Sequence, residues 1–303
     1  MNVQLLSGEQ MMRLVGYNTQ FSRGRDDRID IDRMVAPVKD ADILALQEIE
    51  RHWQRSGETD QPSEIARRFP KHHWVYGPYF DVDASSVAAD GTVANRRRQF
   101  GVMTLSRWPI LSSRLHILPK FKTGPVFNMV AGFLETVIAA PGGPLRHYNV
   151  HLCDVTPDER LAQIARLFEV LWSAPREGGA WTGRDADWQT DNPPPMPEDA
   201  ILSGDFNLVP GSPEYEALVG PRDRDFGYGR VDVAHRLVDA WVATGHGEGE
   251  GITFPGAVEK GYTRGFRIDY SFVTLGLVAR LKACWIDNDA PGSDHQPVWV
   301  EMA

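Results

Sequence analysis

Cysteine is scarce in this chain: 303 residues carry two, Cys153 and Cys284, too few for a disulfide framework. Both lie in apolar, strand-like segments, so they read as small core residues. Long apolar runs are missing as well. None approaches the ~20 residues needed to span a bilayer, which excludes stable membrane insertion by a helix. Residues 1–10 lack the charged region and long apolar region of a secretory leader, and the expectation is a soluble, cytoplasmic protein. No internal repeat or heptad run is present, so solenoids and coiled coils are excluded. Basic charge is in deficit, with a formal net charge of −9, and a long polyanion is repelled by the molecule as a whole. Nothing matches the Cys/His spacing of a zinc site; His72-His73 before Trp74 reads as a surface pair.

What is present is enough apolar and aromatic material, 42% of residues, for a sizeable core. Strand patterns occur at 12–18, 43–46, 100–105, 130–138, 145–152, 200–202, 268–274, 279–286 and 297–301. Ile31, Met34, Val35 and Val38 recur at helical spacing, with Pro37 kinking or shortening that helix. The clearest helix is 157–172: Thr156 caps it, Pro157 suits its first turn, and Glu159 completes a capping box. Its apolar face is Leu161, Ile164, Phe168, Leu171 and Trp172. A second helix starts at Ser212-Pro213-Glu214. Residues 81–95 and 174–199 read as irregular, the latter a surface excursion within a single domain spanning 1–303. Strands mixed with helices in no strict βαβ rhythm fit a layered α/β sandwich.

Polar islands stand in or just after the apolar runs. They are Tyr17-Asn18-Thr19, Leu46-Gln47-Glu48, Gly204-Asp205-Phe206-Asn207, Arg267-Ile268-Asp269-Tyr270 and Ser293-Asp294-His295. Glu48 ends the apolar stretch 44–47, a poor place for a carboxylate without a partner. Asp205 and Asn207 lie two apart, so in an extended segment they share one face. Acids, amides and an imidazole at strand ends suit metal-assisted phosphoester hydrolysis, in which a divalent cation offsets charge on the phosphate and activates or orients water. Oxygen donors of this kind favour Mg²⁺ or Mn²⁺, as one or two ions.

The order Asn18, Glu48, Asp205-x-Asn207, Asp269, Asp294-His295 resembles the endonuclease/exonuclease/phosphatase superfamily over nearly the full chain. The resemblance implies a four-layer sandwich of the DNase I-like kind, two mixed sheets face to face with helices outside. It makes Glu48 and Asp294 metal carboxylates and has Asn18 support the metal site or the scissile phosphate. Asp205 would orient or deprotonate the attacking water and also serve as a metal ligand. Asn207 would hold a phosphate oxygen and contribute to a second metal position. Asp269 would pair with His295, which contacts the phosphate and stabilises charge, or acts as the base. His151, in Asn149-Val150-His151-Leu152, matches a histidine that contacts the phosphate in some branches.

Within the superfamily the chain looks most like the bacterial metal-dependent hydrolases. The markers are Leu105-Ser106-Arg107-Trp108-Pro109-Ile110, His151 followed by Arg160 and Gln163, and an extended string from Gly204 to Tyr215. Phosphoinositide 5-phosphatases carry a Trp-Cys-Asp-Arg string that is absent here. The long DNA-gripping helix of abasic-site endonucleases has no counterpart, nor does the exposed aromatic hairpin of secreted sphingomyelinases. Residues 92–122 hold Arg96, Arg97, Arg98, Arg107, Arg114, Lys120 and Lys122 without an acidic residue. They read either as solvated loop and strand edges or as a basic rim over the metal site, with Arg98 on the substrate phosphate. The expected function is therefore a metal-dependent phosphodiesterase or phosphatase acting on a small or lipid-derived phosphoester. The alternative is a nuclease acting on single strands or ends. A non-catalytic binding module fits least, because every motif residue is present. The sequence names no protein partner.

Overall fold

The computed structural model describes residues 11–187, 192–223 and 225–303; the expectation for residues 1–10 lies outside them, as does part of 174–199. Along the chain the first strands are β1 (Met12–Asn18), β2 (Ile43–Arg51), β3 (His73–Asp83), β4 (Ser86–Val87), β5 (Val93–Ala94), β6 (Arg97–Ser106) and β7 (Ile110–Ile117). They are followed by β8 (Gly132–Ile138), β9 (Leu145–His151), β10 (Ala200–Asp205), β11 (Val238–Asp239), β12 (Asp269–Val273), β13 (Leu281–Ile286) and β14 (Val298–Met302). Two six-stranded mixed sheets result, in the orders β13-β14-β1-β2-β6-β3 and β11-β12-β10-β9-β8-β7.

Period-two alternation decides which side chains face the other sheet. In β1, Val15 and Tyr17 turn outward to a cluster with Met34, Val38 and Ile65, beneath helices α1 (Ile31–Val35) and α2 (Gln61–Arg68). Leu14 turns inward, where Ile201, Val273 and Val300 join it in a cluster drawn from both sheets. On the second sheet Tyr148, Val150, Leu202 and Phe272 face outward to Ile164, Leu167 and Leu218. These last belong to α3 (Pro157–Glu177) and α4 (Pro213–Val219). The layers are thus helices, sheet, sheet, helices. The sheets come close at Gly16, where a Cβ would lie 3.3 Å from Ser203 Cβ, and at Gly132, where one would lie 2.8 Å from Tyr79 Cβ. No helix among the described residues is long and apolar enough to cross a membrane. Cys153 and Cys284 are free and buried.

Several local expectations change. Residues 81–95 are ordered: β3 runs on to Asp83, paired with Arg97 of β6, and β4 and β5 form a small hairpin. The strand expected from 279 begins at Leu281, because Leu275–Arg280 is a 3-10 turn. β3, β7 and α2 add to the expected elements. β7 is an edge strand whose every second residue is exposed. The helix 157–172 extends to Glu177, and Leu161 is exposed on it while Leu167 and Val170 are buried. Thr156 Oγ accepts the Glu159 N–H, but the Glu159 carboxylate does not close the capping box. It instead accepts from Phe121 N and Asn128 Nδ2 of the loop between β7 and β8.

Candidate active site

The inward row of the second sheet carries the first half of the site. His151 of β9 is paired in register with Asp205 of β10, and Asp205 with Asp269 of β12. Three chemistry-bearing side chains therefore lie side by side across adjacent strands. Gly204 lets β9 and β10 close here, since a Cβ at 204 would sit 1.9 Å from the Val150 carbonyl oxygen. Asn207 does not continue the strand face: β10 ends at Asp205, and Asn207 has a φ of 52°, a left-handed conformation that asparagine tolerates. Its N–H donates to Asp205 Oδ1 and its Nδ2 to the Leu152 carbonyl.

The first sheet supplies the other half. Asn18 ends β1. Glu48 does not end β2 but sits within it at a break in the pairing with β6 between Leu46 and Ile49, with a φ of 57°. A bulge of this kind re-aims a side chain, and it turns Glu48 into the cavity. Asn18 Nδ2 donates to Glu48 Oε1 at 3.0 Å and to Asp205 Oδ2 at 2.8 Å, while its Oδ1 accepts from Gln20 N. One amide thus ties together carboxylates from both sheets. Beneath it Gln47 Nε2 donates to Asn149 Oδ1 at 2.7 Å, and Asn149 Nδ2 donates to the Met103 carbonyl. This buried amide network joins the sheets under the site.

The loop between β13 and β14 brings Asp294 and His295. Ser293 Oγ donates to the Asn18 carbonyl and accepts from His295 N, locking this loop onto the end of β1. His295 Nδ1 lies 2.8 Å from Asp269 Oδ2, and its Nε2 is 4.0 Å from both Asp205 Oδ2 and Asp294 Oδ1. His151 Nε2 is 3.8 Å from Asp205 Oδ2.

Electrostatics separates the two histidines. Burial pulls the His295 imidazolium down, but Asp269, Asp205 and Asp294 together outweigh it and push its pKa up to about 10. His151 is lowered by burial and stays neutral. Tyr79 Oη is 2.6 Å from His151 Nδ1, and burial holds the Tyr79 phenol well above its usual range. The phenol therefore keeps its proton and donates it to Nδ1, leaving the His151 proton on Nε2, facing Asp205. Asp205 is raised to about 6, first by burial and then by the Asp269 charge opposite it. Glu48 is likewise raised by burial, against its bond from Asn18.

The donor set fits a hard divalent cation. Carboxylate oxygens of Asp205 and Asp269 lie within 4.8 Å of each other and of the His295 ring nitrogen, and the two carboxylates are the hard donors of that group. Asp269 Oδ1 and Asp294 Oδ1 are buried oxygens without a partner, which a cation would satisfy. The surrounding cavity, of about 360 Å³, is lined by Glu48, Asp205, Asn207, His151 and His295. Tyr79, Phe127, Phe254, Tyr262 and Phe266 form its aromatic wall. Phe127 and Tyr262 are largely exposed at its mouth.

The sequence did not point to Tyr79, because β3 carries no clear period, nor to Lys260, whose Nζ donates to Asp294 Oδ2 at 2.8 Å. The basic stretch does not line the cavity. Arg96 and Arg98 pair with Glu58, Arg97 with Asp81, Arg107 with Asp42, and Arg114 with Glu135 and Glu177. The markers Arg160 and Gln163 act as braces: Arg160 holds Glu214, and Gln163 accepts from Cys153 N two residues after His151.

The family described as Endonuclease/Exonuclease/phosphatase family matches residues 15–295. No curated protein matches the sequence. Among solved structures, an endonuclease/exonuclease/phosphatase from Beutenbergia cavernae is similar at a TM-score of 0.63 and 19% identity, over 97% of this chain and 71% of that one. A mannosyl-6-phosphatase from Bacteroides thetaiotaomicron follows at 0.58 and 15%, over 96% and 99%. A 3′ phosphatase from Neisseria, bound to a product DNA hairpin, matches at 0.57 and 18%, over 96% and 99%. At these identities the likeness carries the fold.

Proposed function

Because the chain belongs to the endonuclease/exonuclease/phosphatase family, we propose that this cavity hydrolyses a small phosphoester with the help of Mg²⁺ or Mn²⁺. The observation that carries the reading is the convergence on Asp205. Asn18, His151, Asp269 and His295 reach it from four different elements. Glu48, Asp294 and Asp269 would hold the metal, with Asn18 aligning Glu48 and Asp205. When bound, such an ion offsets negative charge on the phosphate and the leaving oxygen.

The chain's own groups divide the remaining work. Water attacks phosphorus, and its proton passes to Asp205, whose raised pKa suits proton acceptance near neutrality. Asn207 N–H keeps Asp205 Oδ1 turned away from rotation. The His295 imidazolium donates from Nε2 to a phosphate oxygen as charge builds in the transition state. Neutral His151 adds a second Nε2–H donor. The bond from phosphorus to the leaving oxygen breaks, and that oxygen takes its proton from solvent. A small ester is favoured over a nucleic acid by the ion-paired arginines of 96–98 and by a cavity sized for one compact group.

The test is a substrate panel with and without added metal: p-nitrophenyl phosphate, bis-p-nitrophenyl phosphate, single-stranded DNA, RNA and a phosphodiester lipid. Metal-dependent turnover of the small esters is expected. Preferential cleavage of single-stranded DNA would transfer the assignment to a nuclease.

A further inference from the structure

A phosphate entering this cavity meets Glu48, Asp154 and Asp205 on the walls, with Asp294 beside them. Apart from the His295 imidazolium an anion finds little positive charge there, since the arginines of the basic stretch are paired elsewhere. Among the described residues, the cavity lining includes one lysine and no arginine: Lys260.

Its placement is built in. The turn Pro255–Ala257 is pressed against Asp294: Gly256 N–H donates to the Asp294 carbonyl, and a Cβ at Gly256 would lie 2.5 Å from Asp294 Cβ. Lys260 N–H donates back to the Ala257 carbonyl, so the backbone returns toward the cavity. Glu259 ion-pairs with Arg25, tying this loop to the segment that follows β1. The Lys260 ammonium lies 4.7 Å from the centre of the Phe254 ring, and that ring packs 4.6 Å from His295. The lysine and the imidazole therefore share one aromatic wall. With 52% of its side chain exposed, Lys260 is free to swing from Asp294 to an incoming anion. Lysine suits this: a point charge on a flexible stem, with three donors.

We propose that Lys260 is the substrate-recognition residue of the cavity, its ammonium leaving Asp294 to donate to a non-bridging phosphate oxygen. The inference rests on the phosphoester reading of the site. It makes the loop 255–262 a determinant of affinity for the phosphoryl group rather than of the chemical step.

Inorganic phosphate, titrated calorimetrically in Mg²⁺ buffer, tests this without turnover. Lys260→Met should weaken phosphate binding roughly tenfold or more, the scale of one charge-assisted hydrogen bond, while Lys260→Arg stays near wild type. With a hydrolysed ester, Lys260→Met should raise KM with little change in kcat. Mn²⁺ affinity, read by electron paramagnetic resonance of the free ion, should be undiminished. Phosphate binding that is absent from wild type, or equal in Lys260→Met, would overturn the proposal. So would a loss of Mn²⁺ affinity parallel to the loss of phosphate, since Lys260 would then act only through Asp294. If phosphate binding depends on Lys260 but no ester in the panel is turned over, the recognition role stands and the hydrolase reading falls.

Discussion

Asp205 and Asp269 face each other across two strands as like charges, an arrangement that destabilises a sheet. The fold tolerates it because His295 sits between them and Asn18 donates to Asp205. Asp205→Asn should lower kcat at least ~10²-fold, the loss of a general base, while raising stability in EDTA. The sign follows from its raised pKa. The cost of the charged form is absent below the ordinary value of 3.8 and complete above about 6. The gain should therefore appear between those values in denaturant melts and be absent below them. Asp269→Asn removes the strongest force holding the His295 proton and leaves burial opposed by Asp205 and Asp294 alone. The alkaline limb of the pH–rate profile should move to lower pH. An unmoved limb would mean that His295 is not the titrating acid.

At the scale of elements, α3 performs two separable tasks at its first turn. Thr156 caps the helix, and Glu159 reaches sideways to hold the loop that carries Phe127. Thr156→Ala should cost about 1 kcal/mol of stability, as lost caps do, with KM unchanged. Glu159→Ala should instead raise KM, because Phe121 N and Asn128 Nδ2 lose their acceptor and the cavity wall loosens. Thermal melts and steady-state kinetics on the pair distinguish the two, and identical kinetic behaviour would deny the wall its role. The bulge in β2 is comparable: without the left-handed backbone at Glu48, strand alternation would decide where its carboxylate points.

For the whole molecule, the site is a seam between two sheets. Glu48 and Asn18 come from one, His151, Asp205 and Asp269 from the other. An ion that binds the folded seam and not the open chain must stabilise the fold by mass action, ~2.7 kcal/mol at a hundredfold excess over its Kd. Mg²⁺ or Mn²⁺ should thus raise the melting temperature, and EDTA should remove both that increment and the activity. A melting curve indifferent to both ions would speak against the carboxylates as a metal site.

The residues of the site were legible in the sequence because each sits next to an apolar run, and chemistry of this kind needs acids and amides at strand ends. The strands containing Asn18, His151, Asp205 and Asp269 were legible for the same reason, since buried β-structure leaves an apolar signature. Other features depend on neighbours far along the chain. Arg96, Arg97 and Arg98 form a basic run in one dimension, yet Glu58 and Asp81 neutralise them across strands. Tyr79 lies in a strand with a bulge and no clean period, and Lys260 in a loop between glycines; neither carries a local signal. Sequence determined which groups the protein carries into the proposed site, through local pattern and residue type. Tertiary structure alone decided which of them meet, because register, bulges and sheet packing are set by contacts that no neighbouring residue records.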